Sequence, residues 1–208
     1  MRISVLAALT SARTRQHTAG AGHATIAPLA TARATRPHCE TTPGAIRLRR
    51  LTPTDAPHMS DLIQRLSPDS RYLRYFRPVR SFAPADIARF VADGPGHRAV
   101  GAFDAGVLVG VAQYFRSDCA DRAEVALEVA DSHHRRGVGA RLVHELARLA
   151  AAAGVTHFTA TVLAENRAVL GLIRRSGWDI VTTADGPYTD IVVGLPPEFA
   201  NVAAAQCA

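Results

Sequence analysis

The stretch His134-Arg135-Arg136-Gly137-Val138-Gly139-Ala140 constrains this chain most. It follows an alternating apolar run, Ala123 to Val129, and opens a long amphipathic stretch, Arg141 to Ala150. The pattern is strand, glycine turn, helix. Such a turn leaves the first backbone N–H groups of the helix without intrahelical partners. Glycine lets the main chain bend sharply and lets a ligand come close, and the helix dipole favours an anion there. The stretch therefore predicts a phosphate or pyrophosphate site. The dinucleotide fingerprint needs a third glycine where Leu142 stands, and a P-loop needs a lysine, of which the chain has none.

Composition bounds the rest. The 208 residues suggest one domain plus an appendage, and 48% apolar content is ample for a core. No run of about 18 apolar residues is present, so no membrane span is expected. Three scattered cysteines, Cys39, Cys119 and Cys207, fit a reducing cytoplasm better than a disulfide framework. The net charge of +6 is uneven. Residues 1–43 carry five arginines against Glu40, a net +4, and the remaining chain carries 19 arginines against 17 acids, +2. The near-balanced remainder does not imply nucleic-acid binding.

Residues 1–43, rich in Ala, Thr, Arg and His, read as a disordered tail. Ile3–Leu9 could be a short signal h-region, the composition could be a transit peptide, or the tail could carry no address. The domain is expected over residues 44–196, with a frayed C-terminal tail over 197–208. Strand one is expected over Ile46–Leu51. A helix over Ala56–Leu66 is broken at Ser67-Pro68-Asp69-Ser70, a short helix follows over Arg71–Phe76, and another starts near Phe82. Strands Ala99–Asp104 and Val107–Phe115 form a hairpin across Ala105-Gly106. Arg122–Val129 is the fourth strand. A helix over Val138–Ala153 stops at Gly154. Strand His157–Leu163, helix Asn166–Arg175 and a hairpin of Trp178–Thr183 with Thr189–Val193 complete an order summarised as β, α, α, β, β, β, α, β, α, β, β.

The loop His134-x-x-Gly137-x-Gly139, in that order of elements, resembles the acyl-CoA loop of the GNAT acetyltransferases, Arg/Gln-x-x-Gly-x-Gly/Ala. His134 departs from the usual Arg or Gln. The resemblance covers about residues 45–195. It implies an α/β (α+β) GNAT fold: a mixed, mostly antiparallel seven-stranded sheet flanked by helices and splayed at strands 4 and 5. Within the family, Leu66-Ser67-Pro68-Asp69-Ser70-Arg71-Tyr72-Leu73-Arg74-Tyr75-Phe76, Ala123-Glu124-Val125-Ala126 and Asn166-Arg167-Ala168-Val169-Leu170 are similar to the Pat-like branch, bacterial enzymes that acetylate protein lysines. That branch often carries a synthetase-like or ligand-sensing domain, and none is expected within these 208 residues.

The resemblance implies transfer of acetyl from acetyl-CoA to a primary amine. The acceptor is expected to be protein lysine, with a small amine as the alternative within enzymes and a non-catalytic acyl-CoA sensor outside them. The chemistry needs a base, an anion cradle and donors for the oxyanion. Glu124, ten residues before His134, matches the family's strand-four glutamate. Positions 124, 126 and 128 share a strand face, so Glu128 is the rival base. A carboxylate among apolar strand residues should have its pKa raised by desolvation. The main chain at Leu127 and Val129 is expected along the pantetheine. His134, Arg135, Arg136, Gly137, Val138, Gly139 and Ala140 are expected at the pyrophosphate, although Arg135 and Arg136 could equally be a solvated pair. Asn166 is either a CoA contact or a plain helix cap. Ile173 stands where many members place an acid tyrosine; Tyr114 and Tyr188 are substitutes or packing residues. Arg71, Tyr72 and Arg74 fall in the acceptor-pocket segment. His133, His134, His144 and Cys119 match no zinc spacing, so no metal is expected. A homodimer through the last strands is left open.

Overall fold

The structure is a computed structural model and describes residues 45–117 and 119–199; the expected N-terminal tail and most of the C-terminal one lie outside the described residues. The elements are β1 (Arg47–Arg50), α1 (Ala56–Arg65), α2 (Pro68–Tyr75), α3 (Pro84–Phe90), β2 (His97–Asp104), β3 (Val107–Arg116), β4 (Arg122–Val129), α4 (Val138–Ala152), β5 (His157–Leu163), α5 (Arg167–Arg174), β6 (Asp179–Asp185) and β7 (Tyr188–Gly194). Three helices separate β1 from β2, as the three expected segments require and one more than the summarised order counts. Ser67-Pro68 does separate the first two, but the second starts at Pro68 instead of the expected Arg71. Ser67 caps the helix, its hydroxyl accepting from the Ser70 amide at 3.2 Å, and Pro68 takes a first-turn place where no amide is needed.

The seven strands form one sheet in the order β1-β2-β3-β4-β5-β7-β6. Every neighbouring pair is antiparallel except β4 and β5. That parallel pair is short: Arg122, Ala123 and Glu124 face His157, Phe158 and Thr159, and the pairing ends there. β4 runs on to Val129 and β5 to Leu163, so the sheet forks beyond Glu124, as the splay implied.

Each sheet face carries a core. On one, Val138, Leu142, Leu146, Ala147 and Ala150 of α4 pack with Ala112, Tyr114, Ala123, Phe158 and Ile191. On the other, Met59, Leu62, Ile63, Tyr75, Ile87 and Phe90 from α1–α3 cover Ala99, Phe103 and Val111. The odd positions of β4 face α4, and the even positions, including both glutamates, face α1–α3. Phe199, assigned by sequence to the tail, is only 6% exposed. Its ring lies 5.7 Å from Trp178 and 4.8 Å from His144, so the packed unit extends past residue 196.

Candidate active site

The fork defines the site. The Ala130 amide donates to Val109 O at 2.8 Å and the Ser117 amide to Arg122 O at 3.1 Å, so even-numbered residues of β4 spend their main-chain groups on β3. Ala123 O accepts from Thr159 Oγ1 at 3.4 Å, on the β5 side. Leu127 and Val129 share that orientation, but β5 has diverged where they stand. Their main-chain groups turn into the gap.

The gap leads to α4. Gly137 caps this helix in the left-handed region (φ 77°), and no side chain closes its N-terminus. The amides of Val138, Gly139 and Ala140 precede the first helical bond, Arg141 N to Gly137 O. α2 and α5, in contrast, are closed by Ser67 and Asn166. A β-carbon at Gly137 would meet nothing within 4 Å, so only the positive φ demands glycine there. One at Gly139 would lie 3.5 Å from Leu127 and 3.6 Å from Leu172. The cradle thus sits between β4, α4 and α5.

The loop before the cradle is tied by its own side chains. Asp131 accepts from the Ser67 amide (2.9 Å), the Ser67 hydroxyl (2.8 Å) and the Ser70 hydroxyl (2.7 Å). Burial opposes its charge, but these donors and the nearby His134 outweigh burial and hold its pKa below the ordinary value. His133 Nε2 lies 3.0 Å from Asp104 of the β2–β3 hairpin, and Arg136 lies 3.9 Å from the same carboxylate. His134 Nε2 donates to Val129 O at 2.8 Å. Two residues expected on different parts of the ligand, the pantetheine and the pyrophosphate, therefore bind each other: the Val129 carbonyl is engaged, which leaves its amide and the Leu127 main chain for the gap. Arg135 is exposed and holds φ 57°, unusual for a side chain with a Cβ. His133, His134, His144 and Cys119 go to separate surroundings.

The two glutamates differ. Glu128 is 5% exposed, and its Oε2 accepts from Tyr75 Oη of α2 at 2.7 Å, while its Oε1 has no partner. Burial raises its pKa, and Arg74 and the Tyr75 hydroxyl only partly offset this. The desolvated carboxyl is thus Glu128, sealed beneath α2. Glu124 is half-buried, at the last paired position of the fork, opposite Thr159. Thr161, two residues on, donates to Asp190 Oδ1 of β7 at 2.8 Å. Tyr188, paired with Leu163, meets Phe76 at the end of α2 edge-to-face at 5.5 Å. Glu124, Thr159, Thr161 and Tyr188 therefore share the sheet face on which α2 lies.

The remaining candidates fall elsewhere. Asn166 caps α5, its side chain accepting from Val169 N at 3.2 Å, and is 8% exposed. Tyr114 is fully buried on the α4 face, its hydroxyl without a partner and its pKa raised by burial; it is a packing residue. Ile173 packs against the same core. Arg74 donates to the Gln113 side-chain oxygen at 2.9 Å, and the Gln113 amide donates to Phe90 O at 3.2 Å. Arg71 reaches Arg80 O at 3.5 Å, and Tyr72 is exposed. Sequence reasoning missed Ser67, Ser70, Asp131 and Tyr75 as site-shaping residues; their contacts span 53 to 64 positions and leave no local spacing signal.

Comparison with known proteins agrees with this geometry. The family model of the acetyltransferase (GNAT) family matches residues 59–178, more than half of the chain. The chain belongs to the GNAT acetyltransferase family. Among solved structures, the GNAT domain of Streptomyces (S. lividans) PAT is similar, with 25% identity over 73% of this chain and 92% of that one, at a TM-score of 0.68. YncA of Salmonella typhimurium, solved with acetyl-CoA, shares the fold at 17% identity, 74% and 95% coverage and TM-score 0.59. A cAMP-binding acyltransferase from Mycobacterium smegmatis matches at 25% identity and TM-score 0.51 over 76% of this chain but 48% of that one. No curated protein sequence matches the chain significantly. As a GNAT member the chain is an acetyltransferase, and among its described residues no helix is long and apolar enough to cross a membrane.

Proposed function

We propose that this GNAT protein transfers acetyl from acetyl-CoA to a primary amine, protein lysine first, with Glu124 as general base. The observation that carries the reading is the fork. Beyond Glu124, β4 presents main-chain groups of Leu127 and Val129 to a gap that ends on the unclosed N-terminus of α4. An extended amide-bearing arm can pair with such an edge, and a pyrophosphate suits such a helix end. YncA, with the same fold, was solved with acetyl-CoA. Gly137, Val138, Gly139 and Ala140 would supply amides, and Arg135 a guanidinium, with His134 shaping the loop through Val129 O.

The reaction asks little beyond positioning and one proton transfer. The acceptor ammonium gives a proton to Glu124, directly or through water. The freed amine attacks the thioester carbonyl, a C–N bond forms, and the C–S bond breaks. The attacking nitrogen sheds its second proton as the tetrahedral intermediate collapses to the amide, to solvent or to the departing sulfur, and the thiolate leaves as the thiol, with solvent or Tyr188 on the same sheet face as the other proton source. Glu124 suits the base better than Glu128 because it is accessible at the fork, whereas Glu128 is enclosed with Tyr75.

Protein lysine leads as acceptor because the Leu66–Phe76 segment that resembles the Pat-like branch holds α2, the helix on the Glu124 face of the sheet. The likeness to the S. lividans PAT domain points the same way. Three scattered cysteines, with Cys119 an exposed thiol, support a cytoplasmic setting.

The test uses radiolabelled acetyl-CoA and a bacterial lysate separated by size, with Glu124→Gln alongside. Base-dependent label in the protein fraction is expected. Label confined to small molecules would replace lysine by a small amine, and binding of acetyl-CoA without any transfer would leave a sensor.

A further inference from the structure

Helix α2 and the cradle belong to different parts of the chain, yet one carboxylate joins them. Asp131 lies in the turn between β4 and His134, and its carbonyl accepts from the His134 amide at 3.2 Å. Its carboxylate holds both Ser67, the cap of α2, and Ser70 in the first turn of that helix. A carboxylate at a helix N-terminus suits the dipole. α2 is eight residues long, about 12 Å, and its far end is also fixed. Tyr75 donates to Glu128 of β4. Phe76 ends the helix in the left-handed region (φ 57°) and meets Tyr188 over the acceptor side of the fork. The same loop is held from the opposite side by His133 on Asp104.

A shift of the loop at residues 131–134 must therefore carry Ser67 with it. α2 then moves as a rod pivoting near Tyr75, and Phe76 moves against Tyr188. We propose that Asp131 is a positioning residue that transmits occupancy of the cradle to α2 and so sets the acceptor wall once acyl-CoA is bound. This rests on the reading of the cradle as the acyl-CoA site. It explains why three donors from α2 converge on one carboxylate in a ligand loop, where a lone cap would suffice for the helix.

The experiment is hydrogen exchange on the full chain with and without coenzyme A. In the wild type, coenzyme A should slow exchange at residues 134–140 and also at 70–76, by about fivefold or more at the latter. Asp131→Ala should keep the protection at 134–140 and lose the ligand-dependent part at 70–76. Asp131→Asn, which can still accept from the Ser67 amide, should restore it. A helix that is merely destabilised would exchange faster in both states and would not lose the ligand-dependent difference alone. Protection at 134–140 with none at 70–76 in the wild type would overturn the coupling and leave the acyl-CoA site standing. Unchanged α2 protection in Asp131→Ala would overturn it too. If coenzyme A protects neither segment, the site assignment fails and the proposal fails with it.

Discussion

At the scale of single residues, the cradle contains two left-handed positions that ask opposite things of their side chains. Gly137 holds φ 77° in open space, so Gly137→Ala meets no clash and costs only the conformational penalty, about 1 kcal/mol. Arg135 already bears that penalty at φ 57°, so Arg135→Gly should raise stability by up to about 1 kcal/mol after the extra entropy of glycine is counted. Urea unfolding of the two variants should move the midpoint in opposite directions. If the Arg135 side chain serves the pyrophosphate, the stabler Arg135→Gly protein will bind coenzyme A more weakly, a separation that titration calorimetry can read. None of this strain was legible in the sequence, where Arg135 and Arg136 looked alike. The structure distinguishes them through Asp104, which draws Arg136 to 3.9 Å.

At the scale of elements, alternation and caps carried most of the information. The expected bounds of β4 and β5 coincide with the observed strands because both alternate over most of their length between turn residues. α2 was misjudged at its start, where a proline at the first helical position looks the same as a breaker until the Ser67 cap is seen. The junction of β1 and α1 shows what side chains add to such patterns. Arg49 of β1 makes a two-pronged contact with Asp55, at 2.8 and 2.7 Å, and the Thr52 amide adds a third bond at 2.9 Å. The Arg49 hydrogen bonds, helped by Thr52 and working against burial, lower the Asp55 pKa from 3.8 to about 2. A depressed carboxylate pKa favours the folded state above the unfolded value and loses that contribution as pH falls. Asp55→Asn should therefore cost about 1 kcal/mol at neutral pH, allowing for screening at the half-exposed Arg49. The Tm gap to wild type should hold above pH 4 and close as pH falls toward 2.

For the whole molecule, the fold was readable because strand order and helix placement follow from local patterns, and the GNAT motif fixed how they assemble. What did not show was any contact between distant segments. The Asp131 clasp joins positions 61 to 64 residues apart, and Phe199 looked like one aromatic in a tail. Its burial against Trp178 and His144 makes a specific demand on where the unit ends. A chain of residues 45–199 should unfold cooperatively. One that stops at 196 should lose about 3 kcal/mol from the missing ring, which lowers Tm by several degrees for a domain of this size. Equal Tm values for the two chains would mean that Phe199 contributes little to the core.

The central claim is that the fork positions Glu124 as the base beside a bound acyl-CoA. Its most direct test is acetyl transfer by wild type, Glu124→Gln and Glu128→Gln at saturating acetyl-CoA, with the binding of acetyl-CoA measured in parallel. Glu124→Gln should bind acetyl-CoA as the wild type does and lose about 100-fold or more in kcat, while Glu128→Gln should stay within a few-fold of wild type. Full activity in Glu124→Gln, or a loss confined to Glu128→Gln, would contradict the account.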